Sequence, residues 1–113
     1  LSKLNNIRKN ISNLTIPLKN VVEYYTNTNA SLLKIIETAT TLAKSVRLVK
    51  ALNTYTNFLK SKERAGVERA VLSGTFASDK WKNGFYAKFI TLLAEQNTYL
   101  DASMATATPY IKN

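Results

Sequence analysis

The chain has 113 residues, enough for one domain that closes a modest hydrophobic core. It contains neither Cys nor His, which excludes zinc fingers, disulfide frameworks, Cys nucleophiles and His-based acid–base catalysis. The formal charge of +9 raises binding to nucleic acid or an anionic membrane, but the 16 basic residues are scattered from Lys3 to Lys112, no cluster exceeds Lys60, Lys62 and Arg64, and no aromatic–basic interleaving of the RNA-binding kind appears.

Only three Gly and two Pro punctuate the chain, which favours long helices over a turn-rich sheet. The first helix is predicted over Ser2–Asn13, where Leu4, Ile7, Ile11 and Leu14 keep a helical spacing and Ser2 reads as the N-cap. Pro17 forces its predecessor away from helical angles and breaks the pattern. A second helix follows over Pro17–Ala43, with Leu18, Val22, Tyr25, Asn29, Leu32, Ile36, Ala39 and Ala43 alternating by four and three. Asn29 is the strongly polar member of that seam.

A third helix is predicted over Ser45–Phe76 with Ser45 as cap. Its seam runs Leu48, Leu52, Tyr55, Leu59, Lys62, Gly66, Arg69, Ser73, Phe76: apolar in the first half, polar and small in the second. Gly66 costs about 1 kcal/mol relative to Ala inside a helix and marks a close approach of backbone or ligand. A fourth helix is expected over Lys80–Thr108, capped by Ser78 or Asp79, with the seam Phe85, Phe89, Leu92, Gln96, Tyr99, Ser103, Thr106. Short links between long helices imply an all-α, antiparallel up–down four-helix bundle. No run of about 18 apolar residues spans a membrane, no leader opens the chain, and residue 1 is not Met, so the sequence reads as a single excised domain over 1–113.

Lys62 and Arg69 fall on the seam, seven residues and about 10 Å apart on one face. A cation turned inward needs a partner, because burying it alone costs several kcal/mol. Two satisfiers are open for Arg69: a carboxylate such as Glu23, Glu37 or Glu95, or a small anion gripped by the planar guanidinium. Asn29, Gln96, Tyr25 and Tyr99 are positioned to complete such a pocket. Arg64 and Glu68, four apart, read as a surface pair. Arg8, beside the first helix's apolar stripe, is either a solvated side chain or a second anion contact. Glu63 and Glu68 do not converge, so paired-carboxylate catalysis is not expected, nor is a metal or cofactor.

The segments "YYTNTNASLLKII" (Tyr24–Ile36), "YTNFLKSKERAGVERAVLSGTFA" (Tyr55–Ala77), "FITLLAEQNTYLD" (Phe89–Asp101) and "NIRKNI" (Asn6–Ile11) together resemble the nitrate- and nitrite-sensing domain family of bacterial chemoreceptors, sensor kinases and transcription antiterminators. The "KERAGVERA" run is the most specific part. The resemblance implies a non-enzymatic, periplasmic all-α sensor of a chemotaxis-type inner-membrane receptor that binds nitrate or nitrite and works as a homodimer. Its membrane helices, and the cytoplasmic part that engages a chemotaxis kinase and coupling protein, would lie outside this sequence. The family's ligand arginines would fall on Arg69 and Arg8. The ligand site expected from residues and resemblance together is Arg69, Lys62, Arg8, Asn29, Gln96 and Tyr25. The competing reading is a structural dimerisation module whose polar seam residues set register.

Overall fold

Four α-helices make up the fold seen in the computed structural model, which describes residues 2–107: α1 (Ser2–Ser12), α2 (Leu18–Leu42), α3 (Val46–Ser78) and α4 (Phe85–Thr106). The architecture is the expected all-α four-helix arrangement, with no strand among the described residues. Contacts run in opposite chain directions: Leu18 meets Gly74 while Glu37 meets Lys60, and Phe85 approaches Gly74 while Thr106 meets Thr54. Both α2 and α4 therefore lie antiparallel to α3. The extensive packing is α3 on α4, then α2 on α3.

The helix ends follow local chemistry. α1 stops because Leu14 takes a left-handed conformation, φ 55°, with Leu14 N–H bonding to Ile11 and Thr15 N–H to Asn10; this is a Schellman closure with leucine where glycine is usual. Pro17 caps α2 from an extended conformation, φ −60° and ψ 141°. Ser45 is the N-cap of α3 as expected, but its hydroxyl makes no capping bond. Neither Ser78 nor Asp79 starts the fourth helix. Asp79 ends α3 in the left-handed region, φ 51°, and α4 begins only after Gly84, φ 78°. Two left-handed residues close the turn, so α4 starts at Phe85 rather than Lys80. The expected end at Thr108 lies outside the described residues.

The apolar core is small. Val67, Val71 (2% exposed) and Leu92 are buried, with Val22, Phe85 and Phe89 packed around them. Gly74 is buried against Leu18 and Phe85, and a Cβ there would displace the Leu18 methyl. Gly66, singled out in the sequence for a close approach, has nothing above it within 4 Å; the tight glycine is Gly74. Toward the other end the core turns polar: Ser103 Oγ donates to the Thr54 carbonyl at 2.9 Å, and the Thr54 and Thr106 hydroxyls pair at 2.8 Å.

The α4 seam faces inward as its spacing predicts, with Leu92 and Ser103 fully buried. The α3 seam does not. Leu48, Tyr55, Lys62, Arg69, Ser73 and Phe76 are exposed, Phe76 by 78%. The reason is position. α3 lies between two helices and spends adjoining faces on them: Thr54, Ser61, Arg64 and Glu68 toward α4, and Lys60, Glu63 and Gly74 toward α2. The most apolar line of the helix is left largely in water, with Leu59, Lys62, Gly66 and Arg69 bordering α2.

With so few buried apolar side chains, Leu92→Ala should cost about 2–5 kcal/mol by transfer and cavity terms, read as loss of a cooperative thermal transition. Gly66→Ala should instead gain about 0.5–1 kcal/mol, since the helix interior favours Ala and nothing opposes the added methyl. Chemical denaturation of both variants checks the two signs.

Candidate functional site

The charged run of α3 distributes its side chains in three directions, because successive residues turn by about 100°. Glu63 faces α2, where its Oε2 accepts a 2.6 Å hydrogen bond from Asn29 Nδ2. Arg64 faces α4, with Nε 2.6 Å from Glu95 Oε2. The N–H is not aimed at that oxygen and finds no other acceptor, so the contact is an ion pair rather than a directed bond. Glu68 also faces α4 and accepts from Gln96 Nε2. Lys60 pairs with Glu37 of α2. Lys60 and Arg64 both lie over the Tyr99 ring, 5.6 and 6.0 Å from its centroid, where its negative face attracts cations.

Two expectations are corrected here. Arg64 and Glu68 are not a pair with each other; each reaches across to α4, because both already point at that helix. The half-buried guanidinium of the run is Arg64, whose side chain is 28% exposed, and not Arg69. Lys62 and Arg69 follow the outward seam and stand exposed. Of the carboxylates proposed as partners for Arg69, Glu37 is engaged with Lys60 and Glu95 with Arg64. Neither Lys62 nor Arg69 has an ion-pair partner among the described residues.

These two cations nevertheless share a concavity. A groove of about 350 Å³ between α2 and α3 is lined by Asn29, Leu32, Leu33 and Ile36 on one side and Leu59, Lys62, Glu63, Gly66 and Arg69 on the other. The wall is mostly apolar, with Lys62 and Arg69 flanking the opening left by Gly66. Three of the six expected site residues, Asn29, Lys62 and Arg69, thus meet in one place. Tyr25 lines the adjoining cleft with Asn29, Glu63 and Gly66, and packs edge-on against Tyr24, centroids 5.4 Å apart. Gln96 is not brought there: its side chain is held by Glu68 on the α4 side. Arg8 is exposed on α1 and lines none of these clefts.

The sequence offers Glu37 and Glu95 as partners for Arg69, but the cations that hold them are Lys60 and Arg64. A signal was present: Lys60, Arg64 and Glu68 recur every four residues, a charged line on one face that alternating ion pairs with neighbouring helices would satisfy.

A family model described as nitrate and nitrite sensing matches residues 1–112. The chain belongs to that family. Comparison with curated proteins and with solved structures returns no match. The "KERAGVERA" run, Lys62–Ala70, lies within the matched residues. In this structure that run is the ion-pair centre of the fold on one side and the wall of an exposed cationic groove on the other. No helix of the described residues is long and apolar enough to cross a membrane.

The two arginines should separate in mutagenesis. Arg64→Ala removes an ion pair and the guanidinium packed on Tyr99, and should cost about 1 kcal/mol or more. Arg69→Ala touches no structural partner and should leave stability within about 0.5 kcal/mol of the parent. Urea midpoints of the two variants, measured side by side, check the order.

Proposed function

We propose that this chain is the extracytoplasmic sensing domain of a chemoreceptor-type signal transducer, taking nitrate or nitrite into the groove between α2 and α3. One observation carries the reading: Lys62 and Arg69 flank a glycine gap, without acid partners among the described residues, in a family named for sensing these anions. The two cations are about 10 Å apart along the helix axis, and both side chains are long enough to lean over Gly66 toward one small ion. A guanidinium offers forked N–H donors that match a planar oxyanion, and the ammonium adds a point charge. Glu63 also lines the groove; its Oε2 accepts the Asn29 amide, and it forms no ion pair with Lys62 or Arg69 among the described residues.

The groove continues into the outward seam of α3, which suits a second copy of the chain. In a parallel pair the Lys62 and Arg69 side chains of both copies would converge, and their repulsion would oppose association. An anion among them would offset that repulsion, so ligand uptake would favour one packing of the dimer over another. In the receptor that difference would pass through membrane helices to a cytoplasmic kinase-coupling part.

The test is thermal unfolding in nitrate, nitrite and chloride. At 100 times the dissociation constant, one-site binding adds about 2.7 kcal/mol to folded stability. Nitrate or nitrite should raise the transition where chloride does not, and Arg69→Ala should abolish the rise. A rise that survives Arg69→Ala moves the site elsewhere; no response to either nitrogen oxyanion removes them as ligands. The exposed α3 seam also supports a second reading, a structural dimerisation module. In that case Arg69→Leu would strengthen association in sedimentation equilibrium, and no anion would shift the melt.

A further inference from the structure

No acidic residue occurs between Glu37 and Glu63, while Lys44, Arg47, Lys50, Lys60 and Lys62 all fall there. The fold places the middle of this segment at one extremity, where α2 ends at Leu42 and α3 begins at Val46. Leu42 is 76% exposed, Val46 73% and Leu48 49%. Lys44, Arg47 and Lys50 are exposed among them. Of the nearest acids, Glu37 is held by Lys60, and Asp101 stands toward the end of α4 against three cations.

Exposed apolar side chains interspersed with cations at a turn between two helices fit one kind of surface better than others. A protein partner would have to offer a hollow lined with acids. A second copy of the tip would set like charges against each other. Nucleic acid would satisfy the cations but leave Leu42 and Val46 in water. A bilayer with anionic headgroups accepts an exposed helix–helix turn: its phosphates meet the cations, and its interfacial layer takes the apolar side chains. We infer that the α2–α3 tip docks on an anionic bilayer surface, with Leu42 and Val46 entering the headgroup layer and Lys44, Arg47 and Lys50 contacting lipid phosphates.

The opposite end supplies a control. Trp81, the sole Trp of the chain, lies in the α3–α4 turn beside Lys80 and Lys82, its ring packed 5.4 Å from Tyr86 and 5.7 Å from Phe89. Docking through the α2–α3 tip leaves it in water.

The intact chain is incubated with vesicles of phosphatidylcholine alone or mixed with phosphatidylglycerol, and bound protein is measured by co-sedimentation. Binding is expected only to the anionic vesicles, with Trp81 emission unchanged. Each cation near the surface contributes about fivefold in affinity, so Lys44→Gln should weaken binding about fivefold and the triple change K44Q/R47Q/K50Q roughly a hundredfold. Lys44 lies between the helices, so its single variant reports without disturbing either. Leu42→Ser with Val46→Ser should weaken binding about tenfold. Four results would overturn the inference: absence of binding to anionic vesicles; full binding by the lysine and arginine variants; full binding by the Leu42/Val46 variant; or a blue shift of Trp81 on vesicle addition, which would assign docking to the other end. Capture of a DNA duplex without capture of vesicles would reassign the tip to nucleic acid.

Discussion

A single helix holds this domain together, and it has to face two neighbours at once. α3 meets α2 and α4 on adjoining sides and makes the extensive contacts of the fold with them. Because each residue advances the helix by about 100°, its charged run cannot act as one patch. Lys60 and Glu63 go to α2, Arg64 and Glu68 to α4, and Lys62 and Arg69 to the open side. Partly exposed ion pairs of this sort contribute little individually, but here they link three helices in a single layer. They also engage Glu37 and Glu95, so neither is a partner of Lys62 or Arg69. Lys62 and Arg69, on the outer face, have no ion-pair partner among the described residues.

The helix count, the antiparallel order and the inward face of α4 were legible in the sequence, because Phe85, Phe89 and Leu92 carry a strong apolar period. The orientation of α3 was not. Apolar periodicity finds the oiliest line, and in α3 that line is Leu48, Leu52, Tyr55, Leu59 and Phe76, which a single chain leaves largely open. The side that meets α4 is built from Thr54, Ser61, Arg64 and Glu68, whose contacts are hydrogen bonds and charge pairs that hydropathy does not register. The same error of phase turned Arg69 inward and Arg64 outward on paper. Asn29, Lys62 and Arg69 share one groove because their relative positions on the two helices do not depend on which way the group faces. Gln96 stands apart from it because the partner of its side chain, Glu68, lies on the other flank of α3. The late start of α4 depends on two left-handed residues, Asp79 and Gly84. Only the glycine announces such a conformation in sequence.

The distribution of apolar surface says something about what the domain is built to do. Val67, Val71 and Leu92 are its buried hydrophobic residues among those described, while Leu32, Ile35, Tyr55, Phe58 and Phe76 remain substantially in water. Exposed apolar area of this extent marks surfaces that meet a partner.

The hydroxyl contacts among Thr54, Ser103 and Thr106 carry one more consequence. At the Val67–Leu92 end, branched side chains interlock, and lengthwise slippage of α4 against α3 would force them through one another. At the hydroxyl end Ser103 and Thr106 hold α4 to Thr54 of α3 through O–H contacts, and a hydroxyl rotates where a branched carbon side chain wedges. Resistance to sliding is therefore graded along the α3–α4 seam: one end acts as a fixed clamp and the other as a bearing.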